Sequence, residues 1–202
     1  MTDRGRGRRR ALAARLVASL ALAAAGALTP AHAATAFPAT GTIELAFTPG
    51  DRIDARIAAA IDAAQREVLV LVYSFTQPTI ARALAAAHRR GVTVEVVADR
   101  GQTLELPQSA VPGLARAGIA VWLDGGPGAA HNKVVVIDPD TPRATTITGS
   151  YNFTVAAQAR NAENVVILHG NPDAARAFRD YFRRQQAKGR RWQGALAPAA
   201  AR

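Results

Sequence analysis

Residues 67–73 read EVLVLVY, in which Glu67 opens an unbroken valine-rich apolar run with no polar face. Such a run suits a strand covered on both sides, since a half-exposed strand alternates polar with apolar residues. The covering helices are written on either flank. Residues 51–65 (DRIDARIAAAIDAAQ) place Ile53, Ile57, Ala60 and Ile61 on one helical face, and residues 79–90 repeat a helical pattern that Gly91 stops. Further strand signals fall at 42–47 (TIELAF), 92–98, 119–123, 133–137, 145–148 and 164–168. A short helix is expected within 107–118, a flexible loop at 124–130 (DGGPGAA), and a long basic helix from 172 to about 188. The alternation specifies an α/β fold, one mixed β-sheet flanked by helices on both faces. No internal repeat is visible.

The 202 residues fit one ordinary domain, and 49% hydrophobic content suffices for one core. Residues 1–33 read as a signal peptide. Arg4, Arg6, Arg8, Arg9, Arg10 and Arg15 precede an apolar run at 16–28, and Ala31-His32-Ala33 supplies a small-x-small cleavage site. That run is shorter than the ~20 residues needed to span a bilayer, which argues against a transmembrane anchor. The expected order is then a short linker at 34–41, a catalytic domain at 42–190 and a disordered tail at 191–202, with export to the periplasm or the medium after cleavage near Ala33. Cleavage lowers the net charge from +10 to +5, with 19 basic and 14 acidic residues remaining. A basic exported protein suits phosphate-rich polymers or anionic lipid surfaces.

No cysteine is present, which excludes thiolate catalysis, thiolate metal sites and disulfides. Past the signal segment the histidines are His88, His131 and His169, without helical i, i+4 pairing or an aspartate cluster. No metal or other cofactor is expected.

The informative stretch is His131-Asn-Lys133-Val-Val-Val-Ile-Asp138, followed by Gly149-Ser150-Tyr-Asn152 and then Glu163. Strand alternation sends His131 and Lys133 to one face while Val134 and Val136 turn into the core. A chance HxKxxxxD in a chain of this length has a probability on the order of one in a hundred, and the GSxN lowers it by orders of magnitude. Lysine is scarce here, being Lys133 and Lys188 alone.

At these residues the chain resembles the phospholipase D superfamily, whose signature is HxKxxxxD followed by GSxN. It is most similar to the small single-motif bacterial endonucleases of that superfamily, through Tyr73-Ser-Phe-Thr76, Gly149-Ser-Tyr-Asn-Phe-Thr154 and Asn161-Ala-Glu-Asn164. The resemblance covers about residues 42–186 and implies a phospholipase D-like fold. One departure is the ten-residue segment between Asp138 and Gly149, longer than the family's usual spacing and read as an extended hairpin loop.

Phosphodiester cleavage needs a nucleophile, a proton donor for the leaving oxygen and donors around the equatorial oxygens. The resemblance implies His131 as a nucleophile forming a phosphohistidine, with Lys133 and Asn152 on the non-bridging oxygens and Ser150 adding a hydrogen bond. It implies Glu163 as the acceptor that fixes the His131 tautomer. Asp138 belongs to the motif and is expected to organise strand and loop rather than touch substrate. One motif supplies one histidine, so the acid for the leaving group is expected from a second copy in a homodimer with a composite active site.

The pocket recognises a phosphodiester and does not choose the polymer. The basic residues Arg176, Arg179, Arg183, Arg184, Lys188, Arg190 and Arg191 favour nucleic acid, bound non-specifically through its phosphates. Equally, the helical ones suit the solvated side of an amphipathic helix whose Phe178, Tyr181 and Phe182 face the core. The leading expectation is a metal-independent, non-specific endonuclease acting on DNA, with RNA as a further candidate substrate. The alternative is a phospholipase D or transphosphatidylase acting on phospholipid head groups, and a non-catalytic basic binder ranks third.

Overall fold

The computed structural model describes residues 34–126 and 128–193. The expected signal segment at 1–33 and residues 194–202 of the expected tail lie outside the described residues. The elements run β1 (Thr42–Thr48), α1 (Ile53–Asp62), β2 (Glu67–Val72), α2 (Pro78–Arg89), β3 (Thr93–Asp99), α3 (Arg100–Glu105), α4 (Val111–Arg116), β4 (Ala120–Asp124), β5 (Lys133–Ile137), β6 (Thr145–Gly149), α5 (Val155–Ala159), β7 (Glu163–His169), α6 (Pro172–Lys188) and β8 (Arg190–Arg191).

The strands form one sheet in the order β1-β7-β6-β5-β2-β3-β4-β8. β2, β3 and β4 are parallel, and the other neighbours are antiparallel, so the sheet is mixed as expected. The all-apolar β2 occupies a central position. Its Val68, Val70 and Val72 join a core with Ile53, Ile57 and Ile61 of α1 and Ile80 and Leu84 of α2. Its Leu69 and Leu71 face the other way, into a core with Val134 and Val136 of β5 and Ala175 and Phe182 of α6. Each such side chain contributes about 1.5–3 kcal/mol when fully buried, so two covered faces hold β2 and β5 firmly.

Three elements were not anticipated. α3 (RGQTLE) lacks an apolar stripe and is started by Asp99, whose Oδ1 accepts the Gln102 N–H at 2.8 Å. α5 is likewise started by Thr154, whose hydroxyl accepts the Ala157 N–H at 3.1 Å. β8 is two arginines paired with Trp122 and Leu123, followed by a half-buried Trp192 whose backbone N–H donates to Val121 O at 2.8 Å. Pairing therefore continues past the expected domain boundary at 190, through Arg191 and Trp192. Main-chain pairing to the exposed edge of β4 holds them, which an arginine pair does not announce. Among the described residues, no helix is long and apolar enough to cross a membrane.

Candidate active site

β5 runs antiparallel to β2 and β6, so its start lies at the sheet end where β2, β3, β4 and β6 finish and β7 begins. His131, Lys133, Ser150, Asn152 and Glu163 all come from that end. Lys133 is the first residue of β5, paired with Val72, and Tyr73 N–H donates to Asn132 O at 2.9 Å. Val134 pairs with Thr148, so one step on Lys133 lies beside Gly149. Gly149 pairs with Val165, and a Cβ there would fall 2.2 Å from Asn164 O and 2.9 Å from Val165 Cα. Glycine is thus demanded sterically, and the close approach of β6 to β7 sets Ser150 beside Glu163 and Asn164.

Lys133 is 7% exposed whereas His131 is exposed. The Lys133 ammonium donates to His131 Nδ1 at 3.0 Å and to His131 O at 3.0 Å. An ammonium has no lone pair, so Nδ1 accepts here. Tyr73 completes the group, its ring centroid 4.4 Å from that of His131 and 4.9 Å from Lys133 Nζ. Burial pushes the Lys133 ammonium below the ordinary lysine range, and the Glu163 carboxylate opposes that shift.

Ser150 Oγ donates to Glu163 Oε2 at 2.6 Å, Asn161 Nδ2 donates to Glu163 Oε1 at 2.9 Å, and the Asn164 N–H donates to Ser150 Oγ at 3.1 Å. Each Glu163 oxygen thus accepts one hydrogen bond, and among the described residues the one expected between Glu163 and His131 is not made. Lys133 stands at Nδ1 instead. Asn152 Oδ1 is buried without a hydrogen-bond partner among the described residues, so that atom does not lock the amide.

Asp138 sits at the other end of β5. Its Oδ2 accepts the Gln65 N–H at 2.9 Å and its Oδ1 accepts the N–H groups of Arg66 at 2.8 Å and Glu67 at 2.9 Å. Its backbone is left-handed, φ 47°, a conformation aspartate tolerates. Asp138 ties the turn before β2 to the end of β5 and does not join the site. The long hairpin loop opens at this same far end and reaches α6, where Arg179 Nη1 lies 2.6 Å from Asp140 Oδ2.

The two other described histidines lie elsewhere. His169 closes β7, pairs in register with Thr145 and meets Glu44 at 3.1 Å, while His88 sits in the last turn of α2. Among the described residues, no three His, Asp or Glu side chains converge to hold a metal ion.

Tyr73 carries part of the family resemblance but was not among the expected site residues. Its signal was position, the residue that follows the apolar run of β2 and so emerges at the sheet end. The basic helix divides in two. Phe182 is buried, with Phe178 and Tyr181 packed beside it. Arg176 pairs with Asp173, Arg179 with Asp140 and Asp180, and Arg183 with Glu67 and Glu95. These three arginines form the solvated, charge-matched side of an amphipathic helix.

Residues 57–186 match the family described as "Cardiolipin synthase, PLD-like domain". The chain is 38% identical over 143 residues to a protein named "Phospholipase D" from Rickettsia felis, covering 71% of this chain and 69% of that one. It is 37% identical over 117 residues to the "Mitochondrial cardiolipin hydrolase" of Xenopus laevis, covering 58% of this chain and 53% of that one. Among solved structures it is similar to Nuc from Salmonella typhimurium, described as a phospholipase D family member. The TM-score is 0.69 at 30% identity, over 75% of this chain and 98% of Nuc.

Proposed function

The chain belongs to the phospholipase D superfamily and is a phosphodiesterase, and from that premise we propose that it is an exported endonuclease cleaving DNA or RNA at a composite site built by two copies. The observation that carries the chemistry is the buried Lys133 ammonium held against His131 at the open end of the sheet. The similarity to Nuc, over 98% of Nuc and 75% of this chain, supports the nuclease reading.

In this proposal an incoming phosphodiester draws the Lys133 ammonium from His131 Nδ1 to its non-bridging oxygens, where a charge-assisted bond is stronger. The unlocked amide of Asn152 turns its Nδ2 to the same oxygens, and Ser150, poised on Glu163, adds a donor. The lone pair that Lys133 frees on His131 Nδ1 forms a phosphorus–nitrogen bond as the bond to the leaving oxygen breaks, and that oxygen takes a proton from the imidazolium form of His131 in the second copy. Water then attacks the phosphohistidine and releases the phosphate end, its proton returning to that histidine. The acid is assigned to a second copy because His88 and His169 lie away from this sheet end. The protein lacking residues 1–33 is expected to sediment as a dimer, and a fully active monomer would overturn the composite site.

Lipid head groups are the second reading, favoured by the names of the curated relatives and by the exposed row of Ile43, Leu45 and Phe47 on β1. Supercoiled plasmid and single-stranded DNA, incubated in excess EDTA with wild type and with His131→Asn, separate the readings. Cleavage that survives EDTA and falls at least ~10³-fold in the variant supports the nuclease. Choline release from phosphatidylcholine vesicles with intact plasmid overturns it.

A further inference from the structure

Across the sheet Lys133 pairs with Val72, Val72 with Ala98, Ala98 with Leu123, and Leu123 with Arg190. Side chains on one such row leave the same face, so Arg190 shares a face and a sheet end with Lys133, about 19 Å away at ~4.8 Å per strand. Arg190 lines a concavity of about 530 Å³ with Arg100, Gly125, Lys188, Arg191 and Trp192. Its four cations are all exposed. Among the described residues, no carboxylate oxygen lies within 4.0 Å of any of them, in contrast to Arg176, Arg179 and Arg183.

The concavity is built by packing as well as charge. The Arg191 guanidinium lies 4.5 Å from the centroid of the Trp122 ring. A Cβ on Gly125 would come within 3.1 Å of Arg100 Cδ, so the glycine lets the arginine stem lie against the loop. Asp124, which ends β4 at this rim, accepts the Gly126 N–H at 3.0 Å. Lys188, Arg190, Arg191 and Trp192 all lie beyond residue 186, where the match to the family ends. The concavity is therefore supplied in large part by residues outside the matched domain.

We propose that this concavity is a second anion subsite, holding a backbone phosphate of the same nucleic-acid strand whose phosphodiester is cleaved at His131. The inference rests on the nuclease reading and deepens it. A repeating phosphate polymer places an anion at ~19 Å, about six nucleotides of stacked strand at ~3.4 Å each and fewer of an extended one. A single phospholipid bound at His131 does not. Contacts of this kind are blind to sequence and sensitive to salt.

The test compares wild type with the triple variant Lys188→Ala/Arg190→Ala/Arg191→Ala on three substrates: bis(p-nitrophenyl) phosphate and single-stranded DNA of about four and about twenty nucleotides. Expected for the variant is a KM for the long strand raised about ten-fold relative to that for the short one, with the salt slope of log KM reduced by about two. Equal KM changes on long and short strands, or none, overturn the subsite while the nuclease stands. Hydrolysis of bis(p-nitrophenyl) phosphate by wild type without cleavage of either strand overturns the nuclease reading and the subsite with it. Variant loss of binding to phosphatidylglycerol vesicles, with long-strand KM unchanged, reassigns the concavity to a membrane surface and overturns the proposal.

Discussion

At the Asp138 end of β5 both carboxylate oxygens are taken by three backbone N–H groups, whereas at the Lys133 end the ammonium is buried against an exposed imidazole and, among the described residues, the Asn152 amide oxygen has no partner. One motif thus spans a saturated anchor and an unsaturated pocket, joined by a strand whose five residues are all buried. A carboxylate that accepts three N–H groups has little left to offer a ligand, while an ammonium held by an imidazole and one carbonyl can be drawn away by a phosphate. The difference teaches that motif membership does not imply a shared role. Saturation of hydrogen-bonding capacity sorts scaffold from chemistry.

The sharpest way to break this contrast is Gly149→Ala. The added methyl has no room beside Asn164 O, so β6 must part from β7 and carry Ser150 and Asn152 with it. Stability should fall by about 3 kcal/mol or more, read by urea unfolding, and kcat should fall in the fraction that stays folded. Asp138→Ala acts on the other end alone. Losing a charged acceptor for three N–H groups should cost roughly 2–3 kcal/mol, with kcat per folded molecule retained. A collapse of kcat at undiminished stability would show that Asp138 takes part in the reaction after all.

The smallest effect is a shift in pH dependence. Burial lowers the Lys133 value, so the ammonium is lost as pH rises at a point below the usual lysine range. The same sign makes folding gain stability as pH rises from the folded value toward the unfolded one. Lys133→Arg, which stays charged throughout, should move the alkaline limb of kcat/KM to higher pH even as its bulk lowers the maximum. An alkaline limb left in place would mean that another group sets it.

Much of this was legible in the residues. The run at 67–73 predicted a strand covered on both faces, and β2 lies at the junction of both cores. The alternation of His131 and Lys133 against Val134 and Val136 also matches, since those two valines lie under α6. What escaped was what tertiary pairing decides. β8 is an arginine pair with no strand pattern, and it exists because β4 offers an open edge. The partner of His131 Nδ1 escaped for a related reason: Glu163 is close in the motif order, but β7 delivers it to Ser150 and Asn161. Polar contacts depend on a few ångströms of register that apolar periodicity does not encode.

β1 and β8, the first and last described strands, form opposite edges of the sheet, with β5 and β2 in the middle. Fraying from either terminus peels away an outer strand and leaves the inner ladder paired. Amide hydrogens should therefore exchange with solvent soonest at 42–48 and 190–191 and last along β2 and β5. The reacting end would then stay assembled while the rim beside Arg190 opens and closes, so any grip at the proposed subsite would fluctuate far more than the bond-breaking machinery itself.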